Sequence, residues 1–301
     1  MRSRLLVVLV VLVGVLAAAC GTPSGATGGR TLQVIAGENF WGSIAAQLGG
    51  SRVSVTSVVT NPNADPHDYE SSTSDARAFA TADYVILNGA GYDDWGSKLL
   101  AGNPSRSRKL FTVADLLHKK AGDNPHFWYN PTSVDQVVDR ITADYQAIDP
   151  ADASYFSQQR AAFRQALQPY HDRIASIKKS FSGTPVGSTE SIFVYLAQAL
   201  DLTLISPPQF MQAVAEGNDP PANTVAQFQQ QIAAKQIKVL VFNVQAASNV
   251  TDGLKRLAAD NGIPVVGVSE TLQPVDATFQ EWQLAQLLTL QNALNAQSLT
   301  H

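Results

Sequence analysis

The chain has 301 residues, with 21 Lys and Arg against 25 Asp and Glu, giving a formal net charge of −4. Charged residues make up only 15%, so no basic surface points to nucleic acid. A single cysteine excludes an internal disulfide and a thiolate-based zinc site, so any bound metal must rest on histidine and carboxylate.

Arg2 and Arg4 precede an apolar run from Leu5 to Ala19, which ends in Leu16-Ala-Ala-Ala-Cys20. A basic start, a short apolar stretch and small residues before a cleavage point describe a secretory signal over residues 1–19. The run is shorter than the roughly 20 residues that a spanning helix needs. Small residues followed by Cys20 resemble the lipobox of bacterial lipoproteins, in which the cysteine is acylated and becomes the mature N-terminus. Residues 20–30 then read as a lipidated cysteine and a flexible glycine-rich tether.

The remainder is long enough for two domains with cores of their own. Thr31 to Gly37 predicts a buried strand, Asn39 to Leu48 a helix capped by Asn39, and Val53 to Val59 a β-branched strand. Ser71 to Thr81 has helical spacing, Ala82 to Gly89 is strand-like, and Tyr92 to Leu100 is helical again. This alternation implies a mostly parallel sheet with helices on both faces. From Pro131 to Phe181 the pattern turns helical, with a break at Asp149-Pro150. Ala151 to Lys179 reads as one long helix, the link over residues 151–181, kinked or split at Pro169. Strand patterns then return at Thr184–Thr189, Leu202–Ile205, Ile237–Asn243 and Pro264–Ser269. Helical patterns intervene at Ile192–Leu200, Asn223–Lys235 and Asn249–Asn261, and a last one runs from Thr278 to Ala296. The expected fold is α/β: two Rossmann-like lobes, residues 31–150 and 182–301, with mostly parallel sheets, joined by one long backbone helix.

One phrase occurs twice. Asn61-Pro-Asn-Ala-Asp-Pro-His67-Asp-Tyr-Glu70 and Asn124-Pro-His126-Phe-Trp-Tyr-Asn-Pro131 each place a histidine directly after a proline, among turn-forming residues. The chain has 5 histidines, so this pair stands out. Such loops hold an imidazole at low entropic cost, and fixed imidazoles suit a metal site. Each histidine taken alone reads equally as a solvated loop residue. His118 reads as surface, His171 lies in the long helix, and His301 ends the chain.

In open α/β sheets, ligands bind beyond the carboxyl ends of the strands. Those ends deliver His67 and His126 from the first half, and Glu190, Asn243 and Glu270 from the second. Glu190 alone also suits a helix N-terminus, and Glu270 alone a solvated loop. Asn243 reads as a supporting or capping group, and Asp65 and Asp68 as turn residues or partners that orient the ring of His67.

These residues carry a resemblance. The chain resembles the zinc/manganese solute-binding lipoproteins of bacterial ABC importers, the periplasmic solute-binding protein family 9, over nearly its whole length. Asn63-Ala-Asp-Pro-His67-Asp-Tyr-Glu70 is similar to the family's first metal loop and Asn124-Pro-His126-Phe-Trp to its second. Ser188-Thr-Glu190-Ser-Ile-Phe193-Val-Tyr195 is similar to its third, and Val268-Ser-Glu270-Thr-Leu272 to its fourth. The resemblance implies a metal site of His67, His126, Glu190 and Glu270 in the interdomain cleft. It implies capture of a divalent ion, Mn2+ or Zn2+ with Fe2+ also admitted, rather than catalysis. The implied partners are a cognate ABC permease, its cytoplasmic ATPase and the membrane through the lipid anchor, with the protein a monomer.

Departures from the family pattern bear on the metal. Glu190 is similar to manganese-type members, Glu270 stands where Asp is usual, and Asn243-Val-Gln245 stands where relatives often read Glu-Pro-Gln. There is no His-rich acidic loop. Carboxylates are harder donors than imidazole, which leans toward Mn2+, although such a site also binds zinc. A stiff linking helix predicts limited hinge opening, with rearrangement around Glu270 and Gly217–Pro221. Two other readings are weighed. A metallohydrolase would use the same ligands but finds no clear extra general base. A surface adhesin would keep the metal site as a structural element.

Overall fold

The computed structural model describes residues 30–298, so the signal-like run and the Cys20 lipobox lie outside the described residues. The first half contains β1 (Leu32–Glu38), α1 (Asn39–Gly49), β2 (Val53–Val59), α2 (Thr73–Thr81), β3 (Tyr84–Leu87), α3 (Asp94–Gly102), β4 (Lys109–Thr112) and α4 (Val113–Leu116). Its strands pair in parallel in the order β2-β1-β3-β4. The apolar runs of β1 and β3 take the centre, where both faces are covered, while β2 alternates in exposure as an edge strand does.

Two local expectations are corrected here. Asn39 does not cap α1. Glu38 is the residue at that position and makes no side-chain cap, while Asn39 is buried and its Oδ1 accepts from the Leu272 backbone N–H at 3.2 Å. The helix expected from Tyr92 begins at Asp94, because Gly89, Ala90 and Gly91 all take left-handed φ, at 77°, 58° and 90°. That turn sets Tyr92 at the sheet's carboxyl edge rather than on a helix.

Next come α5 (Pro131–Ile148) and α6 (Ala153–Phe181), separated by a 3-10 turn at Pro150–Asp152. Asp149-Pro150 is thus the break the sequence implied. The 29 residues of α6 span about 44 Å at about 1.5 Å per residue. Pro169 lies inside α6 without splitting it. Phe163, Leu167, Tyr170, Ile174 and Ile177 are buried on either side of it, and this packing offsets the roughly 3 kcal/mol an internal proline costs.

The second half contains β5 (Pro185–Ser188), α7 (Val194–Ala199), β6 (Thr203–Leu204), α8 (Pro208–Ala215), α9 (Ala222–Ala233), β7 (Leu240–Asn243), α10 (Asn249–Asp260), β8 (Val265–Val268) and α11 (Phe279–Ser298). These strands pair in parallel in the order β6-β5-β7-β8. The sequence reading missed β4 and α8. β4 is a four-residue edge strand with Leu110 exposed, and α8 starts at a Pro-Pro pair that reads as loop. The helix expected from Ile192 opens instead as a 3-10 turn over Ser191–Phe193.

One apolar core runs from Trp41 and Trp128 of the first lobe, through Leu167 and Ile174 of α6, to Leu287 of α11 and Val241 of the second sheet. The chain from Thr31 onward accordingly forms one compact unit, with the lobes distinguished by their two sheets. No helix among the described residues is long and apolar enough to cross a membrane.

Asp144 of α5 braces the first sheet. Its carboxylate accepts from the Tyr84 hydroxyl at 2.7 Å, the Lys109 ammonium at 2.9 Å and the Arg140 guanidinium at 3.0 Å. Burial and the adjacent Asp144 charge push the Tyr84 phenol well above its usual range, so it stays a donor. Asp144→Ala leaves that buried hydroxyl unpaired and is expected to cost about 1–3 kcal/mol, read as a lower urea midpoint at unchanged slope.

Candidate metal centre

The carboxyl ends of the two sheets face each other, and the site is built from the loops that leave them. The loop after β2 carries His67. Asp65 Oδ1 accepts from the His67 backbone N–H at 2.9 Å, closing a 3-10 turn over Pro66–Asp68, so Asp65 fixes the turn that presents the ring. The second Pro-His loop places His126, whose side chain is fully buried. Asn124 orients it. Its Nδ2 donates to the Ser191 carbonyl at 2.8 Å, so its Oδ1 is the atom that accepts from His126 Nδ1 at 2.7 Å. That bond puts the ring proton on Nδ1 and leaves a lone pair on Nε2. Burial, followed by the neighbouring His67, lowers the His126 pKa well below its usual value, which keeps the ring neutral.

Glu190 follows β5 and Glu270 follows β8, both fully buried. His126 Nε2 lies 3.3 Å from Glu190 Oε1 and 3.8 Å from Glu270 Oε2, and His67 Nε2 lies 3.5 Å from Glu270 Oε2. The tightest group is His67, His126 and Glu270, whose ligand atoms all lie within 4.8 Å of one another, with Glu190 joined through His126. His67 Nε2, His126 Nε2 and Glu190 Oε1 are buried with no hydrogen-bond partner. The His126 lone pair therefore faces carboxylate oxygens. Burial first, then the neighbouring Glu270, raises Glu190 well above the usual carboxylate range, and burial also raises Glu270. Bonds of about 2.0–2.2 Å to a tetrahedral divalent ion place neighbouring donor atoms about 3.3–3.6 Å apart. The separations of 3.3 and 3.5 Å lie within that range, and the 3.8 Å from His126 to Glu270 lies just outside it.

Asn243 holds the supporting role the sequence suggested, while Tyr92, Gln245 and Glu38 escaped that reading. Asn243, at the end of β7, donates from its single Nδ2 to Glu190 Oε2 and to Glu270 Oε1, each at 2.6 Å. The Tyr92 hydroxyl donates to Glu270 Oε2 at 2.6 Å. Burial, then the neighbouring Glu270, keeps that phenol protonated. Gln245 ties two metal loops together. Its Oε1 accepts from the Glu270 and Thr271 N–H groups at 2.7 and 3.1 Å, and its Nε2 donates to the Ala64 carbonyl at 2.7 Å. Glu38, at the end of β1, is fully buried, and neither of its carboxyl oxygens has a hydrogen-bond partner. Asp93 accepts from the N–H groups of Asn88 at 2.6 Å and Gly89 at 2.7 Å. Burial raises Asp93 to about 6, and burial, then the Asp93 charge, raises Glu38 well above the usual carboxylate range. A cavity of about 410 Å³, lined by His67, Tyr92, Asn124, Ser191, Met211 and Glu216, opens against the histidine side of the site.

The model of the family described as zinc-uptake complex component A, periplasmic, matches residues 34–293. The chain belongs to this family. Among curated relatives, the manganese-binding lipoprotein MntA of Halalkalibacterium halodurans is 27% identical over 178 residues, 56% of this chain and 59% of that protein. The high-affinity zinc uptake system protein ZnuA of Bacillus subtilis is 21% identical over 63% of this chain and 64% of that protein. The chain thus spans about three-fifths of the length of these relatives. Among solved structures, FpvC of Pseudomonas aeruginosa in complex with Mn2+ superposes with a TM-score of 0.72 at 18% identity, over 89% of this chain and 99% of that one. A ZnuA crystal structure gives 0.70 at 23% identity, over 88% and 99%. At these identities the likeness shows the fold: two parallel-sheet α/β lobes with a long helix, as expected.

Two outcomes follow from the site. His67→Ala and Glu270→Ala are each expected to weaken divalent-metal binding by at least about a hundredfold, since loss of even a supporting partner costs about 10–100-fold. A metal-induced rise in melting temperature that survives either change counts against these ligands. Glu38 supplies the second. Its raised pKa means that its stabilising contribution is complete below about pH 4 and is lost as pH rises. Glu38→Gln keeps a neutral side chain of similar shape and removes that loss. It is expected to raise the melting temperature of the chelator-treated protein more at pH 8 than at pH 5; equal shifts contradict the raised pKa.

Proposed function

We propose that this protein captures a divalent transition-metal ion, Mn2+ or Zn2+, outside the cytoplasmic membrane and hands it to an ABC permease driven by a cytoplasmic ATPase. The observation that carries this reading is the lone pair of His126 Nε2, held 3.3 Å from Glu190 Oε1 and 3.8 Å from Glu270 Oε2 with no donor between them. Lone pairs buried against carboxylates repel unless a cation lies among them. With His67, His126, Glu190 and Glu270 as ligands, two ionised glutamates balance the charge of a divalent ion, and the neutral imidazoles complete the set.

The role is capture rather than catalysis. Among the described residues of the site, no extra general base stands beside the four proposed ligands, which fits binding and release better than turnover. The cross-lobe bonds from Gln245 to Ala64 and from Leu272 to Asn39 describe the closed arrangement. Release would break these bonds and part the loops, with α6 limiting the lobes to small tilts. Relatives named for manganese, zinc and iron support metal uptake as the class of function without choosing the ion. On donor hardness, Glu190 in the place of an imidazole favours Mn2+. Acylation at Cys20 would hold the monomer at the outer membrane face, with residues 20–30 as tether.

Deletion in the native host is expected to abolish high-affinity accumulation of one ion, restored by the intact chain. Cys20→Ser is expected to move the protein from the membrane fraction to the soluble extracytoplasmic fraction with metal affinity unchanged. Unchanged metal accumulation in the deletion strain would contradict the import role, and membrane retention of Cys20→Ser would contradict the anchor.

A further inference from the structure

We propose that Asn243 is a specificity-determining residue that limits each glutamate of the site to one metal-facing oxygen, and so holds the site to four donor atoms. The inference rests on the metal-capture reading and goes beyond it to which coordination number the site accepts.

The argument begins with the amide. Asn243 Oδ1 accepts from the Gln245 backbone N–H at 3.0 Å, so the other branch of the amide must be the NH2 group. Its two hydrogens go to two different carboxylates, Glu190 Oε2 and Glu270 Oε1, both at 2.6 Å. Asn243 is 1% exposed and both glutamates are 0% exposed, so no water competes with these bonds from the protein's surface. The bonds are charge-assisted and among the strong ones available to an amide. Each glutamate therefore has one oxygen tied back to β7. The oxygens left are Glu190 Oε1 and Glu270 Oε2, and these are the two that face the imidazole nitrogens at 3.3–3.8 Å. Tyr92 adds to the restraint by donating to Glu270 Oε2, which fixes the direction of its remaining lone pair.

A carboxylate can bind a metal through one oxygen or both. The bidentate mode needs the second oxygen to swing toward the ion, which here would break a buried hydrogen bond and leave an Asn243 proton unpaired. The set on offer is two imidazole nitrogens and two single carboxylate oxygens. Four donors suit Zn2+, which is tetrahedral at such sites. Ions that prefer six oxygen-rich ligands, as Mn2+ does, gain most from bidentate carboxylates. Donor type and donor number thus pull in opposite directions: the glutamates are hard, as Mn2+ prefers, and Asn243 keeps them few, as Zn2+ prefers. The only neutral side-chain donor in contact with both carboxylates among the described residues is this amide, so the effect should be concentrated in one residue.

The test uses the full chain and Co2+ as an optical probe, with competition titrations of Mn2+ against Zn2+. Wild type is expected to show the intense visible bands of four-coordinate cobalt. Asn243→Ala frees both oxygens. It is expected to shift cobalt to the weaker bands of a five- or six-coordinate ion, and to raise affinity for Mn2+ relative to Zn2+ by about tenfold. A residue that served only to support the fold would lower both affinities together and leave the spectrum unchanged, and that result overturns the proposal. Should Asn243→Ala fail to fold, X-ray absorption on Zn2+- and Mn2+-loaded wild type decides: one oxygen per glutamate in both supports the lock, and a bidentate glutamate in either refutes it. A wild type that binds none of these ions sinks the capture reading itself, a result distinct from binding with the wrong coordination number.

Discussion

The structure depends on a cluster of buried polar atoms that no hydrogen bond relieves. His126 Nε2, His67 Nε2 and Glu190 Oε1 are out of solvent and without hydrogen bonds, beside Glu270. Bringing such groups together costs free energy, because each has left water without gaining a hydrogen bond in return. The fold meets that cost through two parallel sheets and the continuous apolar core along α5, α6 and α11. The site is then a place where stability is given up locally so that a cation is the missing partner. Burial, then repulsion from Glu270, lifts Glu190 well above the usual carboxylate range.

Around the array, the supporting residues hold the loops to one another. Asn124 fixes the tautomer of His126 while its own amide is anchored on Ser191, next to Glu190. Gln245 holds the backbone of Glu270 and the carbonyl of Ala64 in the same amide, so the loop of one lobe cannot leave without loosening the loop of the other. Behind them, burial holds Glu38 and Asp93 above their ordinary carboxylate pKa values. Opening the cleft would mean exchanging a few named hydrogen bonds, while α6 packs into the continuous core.

Much of this was legible in the sequence. The Pro-His phrases, the β-branched runs and the strand ends identified both lobes and all four proposed ligands, because parallel strands and stiff proline loops announce themselves in local chemistry. Boundaries slipped where tertiary contacts override local preference. Asn39 left its cap for the Leu272 backbone, and Pro169 stayed within α6 because its neighbours are buried. β4 and α8 were missed because a four-residue edge strand and a Pro-Pro start carry almost no periodic signal. The roles of Tyr92, Asn243 and Gln245 were the least readable, since each acts through partners distant in sequence. Glu190 and Glu270 could be read as hard donors, but how many oxygens each presents depends on Asn243, which only the folded arrangement brings between them.

The central claim is that one cation completes this array. The direct measurement is a crystal structure of the protein loaded with Zn2+ or Mn2+, with anomalous scattering collected at the metal's absorption edge. The account predicts one strong anomalous peak bounded by the Nε2 atoms of His67 and His126 and by oxygens of Glu190 and Glu270. A loaded crystal with no peak among these four residues, or with the ion held at another place on the molecule, would contradict it.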